Sequence, residues 1–70
     1  PMHIGDTLLI ARDLVMVAED QLSSGNTAEI IDTSALVEGD GDDIRLPRYR
    51  VLIDEVGERD CSCTILERLE

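Results

Sequence analysis

The chain has no Lys, Phe or Trp, a single Tyr49, a single His3 and two cysteines. Each scarcity excludes something. Without large aromatics the core must be built from Ile, Leu, Val, Met and Ala, which bury less area per residue. Seventy residues make one small domain, 1–70, near the lower size limit for a self-sufficient core, where oligomerisation or a partner commonly supplies the missing stability. No apolar run reaches the length of a membrane span, and Leu14–Ala18 is far too short for one. A basic region followed by an apolar stretch is missing from the N-terminus, so no signal peptide is read and a cytoplasmic location is expected. Pro1 reads as a residue left before Met2, and Leu69-Glu70 reads equally as a cloning remnant, so neither end is given weight.

Six arginines stand against sixteen Asp and Glu, for a formal net charge of −10. Such a chain repels phosphate backbones, which disfavours direct binding to DNA or RNA unless Arg45, Arg48 and Arg50 form a patch. The acids are scattered over the whole chain rather than spaced in a row, which suits solubility in a high-salt or GC-rich background better than imitation of a nucleic-acid backbone.

Cys61 and Cys63 lie two apart in a segment that reads as a strand, so both thiols point to one face. A disulfide between them would strain the backbone, and two ligands with His3 make an incomplete zinc site. They read as small apolar core residues. Glu38, Asp40, Asp42 and Asp43 invite a calcium reading, but a loop started at Glu38 has Asp43 where an EF-hand needs Gly and Tyr49 where it needs a bidentate Glu. A solvated loop is expected there instead.

Short, β-branched, turn-bounded segments predict an all-β chain with strands near Thr7–Ala11, Thr27–Thr33, Tyr49–Asp54 and Arg59–Cys63. In the first, Ile4, Leu8 and Ile10 share one face. Extended structure through Asp13–Asp20 would continue that face to Leu14, Met16 and Ala18. Val15 and Val17 favour this reading over the alternative, an α+β chain with a helix over residues 6–24. Arg48, Arg50 and Asp54 alternate with Tyr49, Val51 and Ile53, as in a half-buried strand. The tail, Thr64 to Leu69, is read as one helical turn ahead of a final short strand. The sum is a small barrel of about five strands.

A Gly-Asp strand opening at Gly5-Asp6, a long first loop, a second strand after Gly25, the run Tyr49-Arg50-Val51-Leu52-Ile53-Asp54 and a tail containing Leu66-Glu67 together resemble the SH3-like small barrels. Within that group, Met2 to Ile10 and Leu14-Val15-Met16-Val17 look like the start of the variable chain of ferredoxin–thioredoxin reductase, and the photosystem I subunit that helps dock ferredoxin shares the style. The resemblance implies a non-catalytic barrel that supports or docks a redox partner. After Ala18 the chain departs from that pattern, with Glu19-Asp20-Gln21 in place of a histidine-rich loop. Ile65-Leu66-Glu67-Arg68-Leu69 is also similar to the end of the plasmid-borne, trimethoprim-resistant dihydrofolate reductases. Their Val-Gln-Ile-Tyr stretch has no counterpart across Glu58 to Cys61, so the activity is not carried over.

The expected function is therefore a protein-interaction barrel that self-associates and docks on a partner, a basic one by charge. No cofactor is expected, and no catalytic, cofactor-binding or metal-ligating residue is singled out. Partner binding is placed on Arg45, Arg48, Tyr49 and Arg50. The alternatives are an acidic nucleic-acid mimic that inhibits a DNA- or RNA-binding protein, and a small oligomeric ligand-binding protein or enzyme.

Overall fold

A computed structural model describes residues 2–35 and 45–70. The acidic loop expected at Glu38–Asp43 lies outside the described residues. The chain is all-β, with strands β1 (Thr7–Ala11), β2 (Thr27–Ile31), β3 (Arg48–Val56) and β4 (Asp60–Leu69). They form one antiparallel sheet in the order β1-β4-β3-β2. Among the described residues the sheet is open and has four strands, in place of the expected barrel of about five strands. The tail makes neither a helical turn nor a fifth strand: Thr64 to Leu69 stay in β4, and Leu69 pairs with Arg48.

The hook into β1 is made by Gly5, whose φ of +92° lies in the left-handed region that favours glycine. Its N–H donates to the Ile65 carbonyl at 2.8 Å, and the Ile65 N–H donates to the Asp6 carbonyl at 2.9 Å. β1 then runs along β4, with Leu8 opposite Cys63 and Ile10 opposite Cys61. A three-residue 3₁₀ turn over Arg12–Leu14 ends it.

That turn corrects two expectations. A helix over 6–24 does not form, because the segment is divided among β1, this turn, an extended Val15–Val17 and a second 3₁₀ turn over Glu19–Gln21. The turn also interrupts the alternation begun in β1. Val15 is buried and Val17 half-buried, while Leu14, Met16 and Ala18 are exposed. Met16 reaches the outer edge of β2, where it and Glu29 exchange main-chain hydrogen bonds at 2.8 and 3.1 Å.

β3 carries the centre of the core. Tyr49, Val51 and Ile53 face inward as the alternation requires, and they meet Ile30, Cys61, Cys63 and Ile65. Two register shifts correct what strict alternation would do further along. Asp54 is an extra residue between the pairs Ile53–Cys63 and Glu55–Ser62, so Glu55 is exposed and Val56 half-buried rather than the reverse. Leu66 is the extra residue between Val51–Ile65 and Arg50–Glu67, which turns Glu67 outward beside Arg50. Each bulge thus keeps a carboxylate out of an apolar core, where a bare charge is costly. The β3–β4 turn is tight: Gly57 donates to the Asp60 carbonyl at 2.8 Å, and a Cβ at Gly57 would stand 2.7 Å from that oxygen.

Candidate interaction surface

The structure divides the four residues expected to bind a partner. Arg48 and Arg50 share the outward face of β3, each beside a carboxylate. Arg48 Nη1 lies 3.8 Å from Glu29 Oε1, and Arg50 Nη1 lies 3.0 Å from Glu67 Oε1. Arg48 Nη2 also donates to the Glu70 carbonyl at 3.3 Å. Tyr49 points to the other side of the sheet and is only 5% exposed, so it belongs to the core. Arg45 is exposed and borders a shallow groove with Leu46, Pro47, Arg68, Leu69 and Glu70. Arg68, which the sequence did not single out, is the second cation bordering that groove.

A different surface stands out on apolar grounds. A groove of about 260 Å³ runs between β1 and the end of β2, bordered by Leu8, Leu9 and Ala11 on one side and Ile31, Thr33 and Ser34 on the other. Leu14, Ile31 and Thr33 also border a smaller recess of about 150 Å³ with Asp13 and Met16, so the two are continuous. Leu9 is 76% exposed, Leu14 52% and Met16 43%. Clustered exposure of large apolar side chains marks an interaction site, whereas isolated ones do not. Sequence alternation misses this surface because it assigns Leu14 and Met16 to the core. The signal was the polar Arg12-Asp13 step, which breaks the alternation after Ala11.

The far wall is fixed by Asp32, which is 4% exposed. Its Oδ1 accepts from the Ser34 N–H at 3.1 Å and from Ser34 Oγ at 2.8 Å, and its own N–H donates to the Pro47 carbonyl. This Asx turn satisfies the buried carboxylate and swings the chain away after β2.

Elsewhere, the Thr64 hydroxyl donates to Asp54 Oδ2 at 2.6 Å, and Thr7 and Thr64 share a hydrogen bond at 3.3 Å. These contacts hold the Asp54 bulge. His3 Nδ1 lies 3.6 Å from Asp6 Oδ2, with both side chains largely exposed. Among the described residues, no three His, Cys, Asp or Glu side chains cluster as a metal site, and no helix is long and apolar enough to cross a membrane.

Cys61 and Cys63 are free and buried on the inner face of β4. Burial, with the nearby Cys61 and Asp54, pushes the Cys63 thiol from 9.0 up to about 11. The unfolded chain ionises this thiol first, so above pH 9 the native state holds the extra proton and stability falls as pH rises toward 11. Urea midpoints of the wild-type chain should therefore decline between pH 9 and 11, and the decline should be shallower in Cys63→Ala. Equal slopes in the two proteins would assign the alkaline loss to other groups.

Comparison with known proteins finds no counterpart: no protein-family model, curated protein or solved structure matches the chain.

Proposed function

We propose that the chain is a non-catalytic interaction domain of the SH3-like small-barrel kind, which self-associates and docks its apolar groove on a partner protein with a basic surface. The observation that carries this reading is the continuous exposed patch of Leu9, Leu14, Met16 and Ile31 along the groove. Apolar area supplies affinity at such a site. The net charge of −10 selects a partner of opposite sign and speeds encounter. Arg48 and Arg50 are engaged by Glu29 and Glu67, so they order the outer face of β3 and leave the recognition to the groove.

The test is capture on the immobilised chain at 50 mM salt, followed by measured affinity for the captured protein. One stoichiometric basic partner is expected, bound at least tenfold more weakly by the double variant Leu14→Ser, Ile31→Ser and more weakly by the wild type at 0.5 M salt. The double variant should still melt cooperatively but below the wild type, since Leu14 and Ile31 are 52% and 39% exposed and each loses some packing. Undiminished binding by the double variant would remove the groove from the interaction. Displacement of the partner by duplex DNA would favour nucleic-acid mimicry instead.

A further inference from the structure

The outer edge of β1, whose Leu9 and Ala11 also border the groove, offers main-chain groups as well as side chains. Two bonds set the phase of β1 against β4: the Ile65 N–H donates to the Asp6 carbonyl, and the Arg12 N–H donates to the Arg59 carbonyl at 3.0 Å. Antiparallel ladders alternate, with every second residue turning both its N–H and its C=O to the same neighbour. Asp6, Leu8, Ile10 and Arg12 therefore face β4, and Thr7, Leu9 and Ala11 turn their main-chain groups away from it. Among the described residues β1 has no other strand neighbour. The opposite edge of the sheet is different, because Met16 already occupies the middle of β2 at Glu29.

Open edges are usually protected by Lys, Pro, a charge or a bulge within the strand. Thr7-Leu8-Leu9-Ile10-Ala11 has none of these, in a chain with 31% charged residues. Charges of opposite sign stand just outside its two ends, Asp6 before and Arg12 after. In an antiparallel self-pairing centred on Leu9, Leu9 meets Leu9 and Thr7 meets Ala11, and just beyond the strand ends Asp6 of one copy comes opposite Arg12 of the other, whose guanidinium also donates to its own Gly57 carbonyl at 3.0 Å. Thr7, Leu9 and Ala11, whose outward main-chain groups have no partner among the described residues, are the ones that this register brings together as hydrogen-bonded pairs. A parallel pairing would set Asp6 against Asp6.

We infer that the β1 edge joins a second copy of this chain in antiparallel register about Leu9, giving one continuous sheet across a two-fold axis. The inference rests on the self-association in the function proposed above and names its surface. About six main-chain hydrogen bonds form across the axis, and the exposed Leu9 side chains cover each other. Each copy brings a net charge of −10, so salt strengthens this pairing while weakening attachment to a basic partner.

Disulfide trapping tests the register. At a hydrogen-bonded antiparallel pair the Cα atoms are about 5.5 Å apart, within reach of a disulfide. The two copies of residue 7 would be about 15 Å apart, beyond it. Leu9→Cys should cross-link to a dimer under oxidised glutathione, and Thr7→Cys, also exposed on β1, should not. Leu9→Pro removes the outward-facing N–H and the Leu9 side chain while sparing the bonds to β4, and should weaken the dimer more than a hundredfold in sedimentation while keeping a β-type circular dichroism spectrum. A wild-type dimer that survives Leu9→Pro and gives no cross-link at position 9 would overturn the β1 surface and leave self-association standing. A wild type that stays monomeric up to 1 mM would overturn self-association itself. Cross-linking at position 7, or a size that keeps growing with concentration, would overturn the antiparallel two-fold register.

Discussion

Ile53→Ala should remove a third or more of the stability of this domain. Ile53 is completely buried, and Cys63 stands opposite it in the ladder. Truncating a buried Ile costs about 2–5 kcal/mol, the upper end applying where neighbours cannot move in. A domain of this length has roughly 4–10 kcal/mol in all. The small thiols of Cys61 and Cys63 and the absence of Phe and Trp leave little bulk nearby to fill the space. Urea titration should show a midpoint shift with an unchanged slope. Leu9→Ala, measured where the chain is monomeric, should shift stability by no more than about 0.5 kcal/mol, since that side chain is exposed. A cost under 1 kcal/mol for Ile53→Ala would mean that the centre of the sheet is loosely packed.

The parts of the fold that a sequence can show are those set by unbroken alternation. Tyr49, Val51 and Ile53 were legible as the inner face of β3, Arg48 and Arg50 as its outer face, and Cys61 and Cys63 as neighbours on one side of β4. The same alternation excludes Tyr49 from a site shared with the arginines, because it places the ring on the opposite face. Alternation fails wherever one residue is added. Nothing local distinguishes Asp54 or Leu66 as a bulge; each is extra only with respect to the strand paired with it. A helical turn in the tail fails for a related reason. Ile65, Leu66 and Leu69 are spaced as on one turn of helix, and only pairing with β3 shows that Leu66 has slipped out of register. The 3₁₀ turn at Arg12–Leu14 likewise inverted the faces of Leu14 to Ala18. The groove could not be read locally, since β1 and the end of β2 meet only in the folded chain. The arginines were legible as exposed, but their partners Glu29 and Glu67 come from β2 and β4.

Raising sodium chloride from 10 mM to 1 M should raise the melting temperature by about 10 °C or more. Sixteen carboxylates face six guanidiniums. Among the described arginines only Arg48 and Arg50 lie within 4 Å of a carboxylate, and such exposed pairs contribute little each. Two unit charges separated by the radius of gyration, 12.4 Å, repel by about 0.3 kcal/mol in water. Ten uncompensated charges form many such pairs, so the compact state carries repulsion on the order of several kcal/mol that the expanded chain largely escapes. Screening shortens from roughly 30 Å at 0.01 M to 3 Å at 1 M, which removes most of it, and each kcal/mol recovered raises the melting temperature by about 4–8 °C in a domain of this size. Sodium sulfate strengthens apolar burial as well, so chloride is the salt that isolates the charge effect. The melts should be run on Leu9→Pro alongside the wild type, because salt also favours pairing of like-charged copies. An equal rise in both proteins assigns the effect to repulsion within one chain. A flat profile in both would mean that the carboxylates are neutralised locally, and Arg45 and Arg68, the two cations beside the C-terminal groove, would be the first to substitute.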